Sequence, residues 1–222
     1  MKYARKPRAE QVESTRGLIL DTAERLFAEH GVIAVSNRQI SEAAGQGNNA
    51  AVGYHFGSKN DLVRAIVHRH AEPMTGIRRR LLDEFGGSER VRDWVVCVVR
   101  PITEHLADLG NPSWYARFAA QLLTEPNLRD LTAAEVGDLP SLHSVFGGLA
   151  RVLPGIPPEV RVERNDMAHT LILHFCARRE RTLPLGVDAR PMWRMTESSL
   201  IDALEGLYRA PVGGNRLNTP AT

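Results

Sequence analysis

The chain has 222 residues, 43% of them hydrophobic and 24% charged, the balance of a soluble globular protein with room for one large domain or two smaller ones. Its net charge of +2 is unevenly spread. Residues 1–80 carry 13 Lys+Arg against 8 Asp+Glu, whereas residues 81–222 carry 15 against 18, so the front third is the part expected to meet a polyanion.

Two isolated cysteines, Cys97 and Cys176, argue against a disulfide framework or a thiolate metal site and suit a reducing cytoplasm. No apolar run follows Lys2, Arg5, Lys6 and Arg8, so no secretory signal is expected. The most apolar stretch, 91–102, is broken by Arg92, Asp93 and Arg100 and is too short to span a bilayer.

In chain order, almost every periodic segment has a helical period. Ser14 or Thr15 suits the cap of a first helix whose stripe is Leu18, Ile19, Ala23, Leu26 and Phe27, ended by Gly31. Ser36 to Gln39 reads as a capping box opening a short second helix with Ile40, Ala43 and Ala44 inward. Gly45 ends it, Gly47 breaks the chain again, and Asn48 or Asn49 suits the cap of a third short helix reaching about Tyr54. Ser58, with Asp61 three residues on, caps a long fourth helix that buries Leu62, Val63, Ile66 and Val67 and is kinked or ended at Pro73. Further helices are expected from Ser88, from Asn111-Pro112, over 139–153, over 159–179 and over 191–208. The fold class is therefore all-α. Its expected organisation is a basic arm (1–13), a helix-turn-helix domain (14–72), a larger helical domain (73–209) and a disordered tail (210–222).

Two short helices joined by a glycine-containing turn and backed by a longer one can present the second short helix to a DNA major groove. The residue types fit that use. Asn48 and Asn49 carry amides that pair with adenine edges, although both also suit a plain helix cap, and Ala50 stands beside them. Arg38 can reach a guanine or a phosphate, and Ser36 opens the same helix. Tyr54, His55 and Lys59 can donate to phosphates, next to the anion-attracting start of the fourth helix.

These features also resemble the TetR-like transcriptional regulators. The resemblance spans about residues 16–67 and rests on ILDTAERLFAEHGVIAVSNRQISEAAG and on YHFGSKNDLV, with Tyr54-His55-Phe56 matching the family's aromatic-His-Phe signature. One departure stands out. Eight residues, 46–53, lie between the Ala-Gly ending the second helix and that signature, where the family usually has seven. The extra residue is expected to lengthen the turn. The resemblance implies a homodimer on a pseudopalindromic double-stranded operator, repression, and release by a small effector. It also implies that the last two long helices pair across the dimer.

Met167, Leu171, His174 and Phe175 on one of those helices, and Met192, Met195, Leu200, Leu204 and Leu207 on the other, are candidates for that interface or for the chain's own core. Trp94, Trp114, Tyr115, Phe118, His143 and Phe146 are candidate walls of an effector cavity. No HExxH, P-loop, GxSxG or CxxC occurs, so neither catalysis nor a metal or other cofactor is expected. The alternative reading is a helical small-molecule-binding or protein-interaction module without DNA binding, which would lack the salt dependence that phosphate contacts impose.

Overall fold

The computed structural model describes residues 8–47, 50–137 and 139–213, and among these every regular element is a helix. α1 (Arg8–His30), α2 (Asn37–Ala43), α3 (Ala51–Phe56) and α4 (Lys59–Phe85) form the front of the chain. Behind them lie α5 (Val91–Leu109), α6 (Tyr115–Thr124), α7 (Pro126–Gly137), α8 (Pro140–Val152), α9 (Pro158–Thr182) and α10 (Arg190–Arg209).

α1 begins upstream of Ser14 and Thr15, because residues 9–13 are ordinary helix formers and no breaker separates them from the apolar stripe. Ile19, Ala23 and Phe27 are buried as expected, but Leu18 turns to solvent. Gly31, at φ 98°, ends the helix while its N–H bonds to the Phe27 carbonyl, a conformation that costs a residue with a Cβ. α4 does not end at Pro73 but runs on to Phe85. Pro73 is exposed, so the carbonyl it deprives of a donor lies on the side water can reach. α6 starts at Tyr115 rather than at Asn111, whose amide instead donates to the Pro184 and Val187 carbonyls in the loop before α10.

α5 is the central helix, packed by α10, α4 and α8, while α6 lies between α9, α1 and α7. At its start α6 has no cap of its own. The buried Glu180 of α9 serves instead, accepting from the backbone N–H groups of Ala116 and Arg117, from the Ser113 hydroxyl and from the Arg117 guanidinium. A carboxylate there meets both the unpaired donors and the positive end of the helix dipole.

α8 reaches α5 through Gly148, where any Cβ would overlap the Trp94 ring. α7 was not foreseen from the sequence, since Leu128 and Leu131 alone make no stripe. Among the described residues no helix is long and apolar enough to cross a membrane.

Candidate nucleic-acid interface

The front helices are built from local signals that the fold keeps. Ser36 and Gln39 close the capping box of α2: the Gln39 N–H donates to Ser36 Oγ at 3.2 Å, and the Ser36 N–H donates to Gln39 Oε1 at 2.8 Å. Ser58 and Asp61 do the same for α4, and the Ser58 hydroxyl and N–H hold the Asp61 carboxyl below the usual carboxylate range. Ile40 of α2 and Val52 of α3 are fully buried, and the Val52 N–H points to the buried Ser41 hydroxyl at 3.5 Å. Ala43, expected inward, is exposed; Ala44 takes the buried position. α3 begins at Ala51 with Ala50 as its cap residue, and no side chain caps it there.

α3 buries Ala51 and Val52 and leaves Gly53 and Tyr54 open. Tyr54 is 75% exposed, with its ring edge-on to His55 at 4.9 Å between centroids. The end of the helix is held from behind by Arg16 of α1. Its guanidinium donates to the His55 carbonyl at 2.7 Å and lies over the Phe56 ring, 4.2 Å from the centroid. Gly57 then turns the chain at φ 86° into α4. Tyr54 and His55 are thereby fixed in direction by a residue 38 or 39 positions earlier.

Lys59 occupies a more constrained place than its motif implied. Its ammonium donates to the Val32 and Ile33 carbonyls at 3.0 and 3.2 Å, tying the first turn of α4 to the corner between α1 and α2. Partial burial pulls it below the usual lysine value. An ammonium has three protons, so one remains for an outside acceptor. Arg38 is exposed and reaches Glu42 one turn on at 2.7 Å, and Ser36 is exposed beside it. Asn48 and Asn49 lie outside the described residues.

The six aromatic and histidine candidates do not all wall one cavity, and of them Tyr115 and Phe118 are ring neighbours at 6.4 Å between centroids. Tyr115 stacks on His70 at 3.9 Å, and Phe118 stacks on Phe27 of α1 at 6.0 Å. Trp114 lines a cleft of about 610 Å³ with Asp21, Glu24, Arg69, His70 and His105. Trp94 is core: its indole N–H donates to the Ser88 carbonyl at 3.0 Å. Phe146 lines a separate cavity of about 240 Å³ with Leu153, Ile156, Arg164 and Tyr208, and His143 is exposed.

Contacts that no local spacing announces join the front helices to the body. Gln121 of α6 accepts from the Val32 N–H at 3.1 Å and donates to the Phe27 carbonyl at 2.8 Å. Glu24, Arg69, His70 and His105 form a chain of polar contacts across α1, α4 and α5. Burial alone would raise the Glu24 carboxyl, but His70 and Arg69 more than offset it and hold it below its ordinary value.

Comparison with known proteins bears on this geometry. Residues 19–66 match the family model for bacterial regulatory proteins of the tetR family. The HTH-type transcriptional repressor AcnR of Corynebacterium glutamicum is 36% identical over 64 residues, covering 29% of this chain and 34% of that protein. Its counterpart in Corynebacterium efficiens is 38% identical over 61 residues, covering 28% and 32%. The matched stretch thus spans about a third of those relatives.

The fold extends further than the sequence likeness. The TetR family transcriptional regulator PfmR of Thermus thermophilus superposes with a TM-score of 0.54 at 20% identity, over 88% of this chain and 96% of that one. A TerR/AcrR family transcriptional regulator of Aquifex aeolicus superposes with a TM-score of 0.55 at 17% identity, over 86% and 98%. All four are transcriptional regulators.

Proposed function

We propose that this TetR-like chain is a homodimeric, sequence-specific DNA-binding regulator, a repressor that a small effector releases from a pseudopalindromic operator. The observation that carries the reading is the presentation of α3. Its inner face is sealed by Ala51 and Val52, its C-terminal end is clamped by Arg16, and capping boxes fix the helices on either side. A six-residue helix held so firmly, with Tyr54 standing out, has the form needed to enter a groove and keep its register there.

In this reading Tyr54, His55 and the remaining proton of Lys59 take phosphates, and Ser36 opens the helix that carries Arg38 beside them. Arg38 must leave Glu42 to reach DNA, an exchange of one exposed ion pair for another. Asn48, Asn49 and Ala50, at the start of the recognition segment, are the candidates for base edges. The chain divides functionally at about residue 73, within α4, between the DNA-binding part and the effector and dimerisation part. A cytoplasmic location follows from the work proposed.

Dimer formation is supported by faces that the chain does not cover. Met167 (52% exposed) and Leu171, four residues apart, share one side of α9, and Met195 (58% exposed) stands out from α10. Leu200 and Leu204, by contrast, are buried in the chain's own core. An apolar row left open on two long adjacent helices suits pairing with the same row of a second copy.

Titration of a labelled random duplex with the purified protein at several salt concentrations tests the reading. A linear fall of log affinity with log salt is expected, with a slope set by the number of phosphates neutralised. Absence of binding at low salt would overturn it and favour an interaction module.

A further inference from the structure

Arg78, on α4, is a buried cation whose burial the fold does not repay. It is 7% exposed. Its Nη1 makes a long hydrogen bond to Ser141 Oγ at 3.4 Å, and its Nε is buried with no partner. No carboxylate among the described residues lies within ion-pair distance. Its titratable neighbours are Cys97 and Tyr115. Burial pushes the Cys97 thiol up to about 11 and raises the Tyr115 phenol further, so both are neutral near pH 7 and give no countercharge. Burial also drives the guanidinium itself down to about 10.

A buried cation without a partner is costly, and leaving one in place calls for a reason outside the apo chain. Two features give that reason a chemical form. Ser141 holds the Nη1 side, which leaves the Nε–Nη2 edge, the fork that receives both oxygens of a carboxylate side-on. Ser141 is also the second residue of α8, a 13-residue helix with no side-chain cap, so the guanidinium lies against the positive end of a helix dipole. Ile77 and Leu81 on the same helix as Arg78 and Cys97, its neighbour on α5, are buried apolar residues of the core.

We propose that Arg78 and the start of α8 form the anion end of the effector site, and that the effector is an organic acid whose carboxylate pairs with Arg78 while an apolar body lies among these side chains. The inference deepens the effector reading above and names the chemical class. Of the six aromatic and histidine candidates, Tyr115 neighbours Arg78. The route to the DNA end is short. α4 begins at Lys59 and reaches Arg78 without interruption, about 28 Å along one helix. A ligand that draws α4 towards α8 acts on the recognition segment only through a difference in affinity between two positions of α4.

The test uses the full chain without DNA, at constant ionic strength. Sodium benzoate and sodium hexanoate are compared with the neutral amides of the same bodies, benzamide and hexanamide, by thermal unfolding and by the NMR signal of the Arg78 Nε–H. Both acids are expected to raise the melting temperature and move that signal, and the amides to do neither. Arg78→Met is expected to melt at or above the wild-type temperature and to weaken acid binding at least about tenfold. Arg78→Lys keeps the charge without the fork and is expected to retain part of the binding, which keeps the test decisive if the methionine variant fails to fold. Acids acting no better than their amides, or equally on wild type and Arg78→Lys with the Nε–H signal unmoved, would overturn the proposal. DNA binding is measured separately, so a chain that binds DNA but no acid refutes this inference alone.

Discussion

His70 Nδ1 lies 2.7 Å from His105 Nε2 in the buried seam between α4 and α5, and His70 Nε2 lies 2.8 Å from the Glu24 carboxylate of α1. An ionised carboxylate only accepts. A neutral His70 therefore donates through Nε2 to Glu24 and accepts at Nδ1 from the His105 N–H. The stacked Tyr115 ring covers His70, and Arg69 pairs with the same carboxylate. α1, α4 and α5 thus share one hydrogen-bonded chain.

That chain sets a pH dependence. Burial, and then the charge on His70 when it is protonated, push His105 down to about 4; Asp108 and Glu24 oppose this and Arg69 adds to it. Because the folded value is depressed, the unfolded chain binds more protons as pH falls below 6.5. The stability this group contributes is intact above 6.5 and is lost on the way down to about 4, by up to about 3 kcal/mol. The depressed Glu24 carboxyl adds a loss of the same sign below its ordinary value of 4.5. Urea unfolding between pH 7 and pH 4 should show this decline, and His105→Gln should flatten it above pH 4.5. An equally steep decline in the variant would assign the dependence elsewhere.

Gly148 is the point of closest approach between α8 and α5. A methyl group there overlaps the Trp94 ring, which its own hydrogen bond to Ser88 holds in place. Gly148→Ala should cost about 1–3 kcal/mol, read as a lower urea midpoint, in spite of the better helix propensity of alanine. A variant as stable as wild type would mean that the ring can move aside.

At the DNA end, Lys59→Ala should weaken binding to all sequences about equally and reduce the salt slope by about one. It should also loosen the corner that Lys59 ties through Val32 and Ile33, so the melting temperature is measured alongside. Tyr54→Phe removes only an exposed hydroxyl and should weaken binding without moving the melting temperature. Unchanged affinity in both variants would remove the phosphate roles.

The dimer face makes a separate prediction. Met195→Glu places a charge on the open side of α10 without disturbing the buried Leu200 and Leu204. Sedimentation should show a shift to monomer with the fold retained, and binding to a two-fold site should fall more than binding to a half-site. A variant that remains a dimer would locate the interface elsewhere.

What was legible in the sequence divides by distance along the chain. The capping boxes of α2 and α4, the Gly31 stop and the stripe of α4 are decided within a few residues, and the fold keeps them. α7 escaped because its apolar residues are too few to form a stripe. The early start of α1 escaped because ordinary helix formers give no boundary signal. The clamps on the candidate site were not legible at all. Arg16 meets the His55 carbonyl, Gln121 meets α1, and His70 joins Glu24 to His105, through contacts 35 to 94 residues apart. The aromatic residues were legible as buried but not as neighbours, because composition cannot tell which core wall each one joins.

The most direct test of the central claim is selection of bound duplexes from a random pool by the purified chain, at two salt concentrations. The account predicts enrichment of one two-fold symmetric sequence, with half-sites spaced by whole turns of DNA and affinity falling as salt rises. Recovery of unenriched DNA at both concentrations would contradict it.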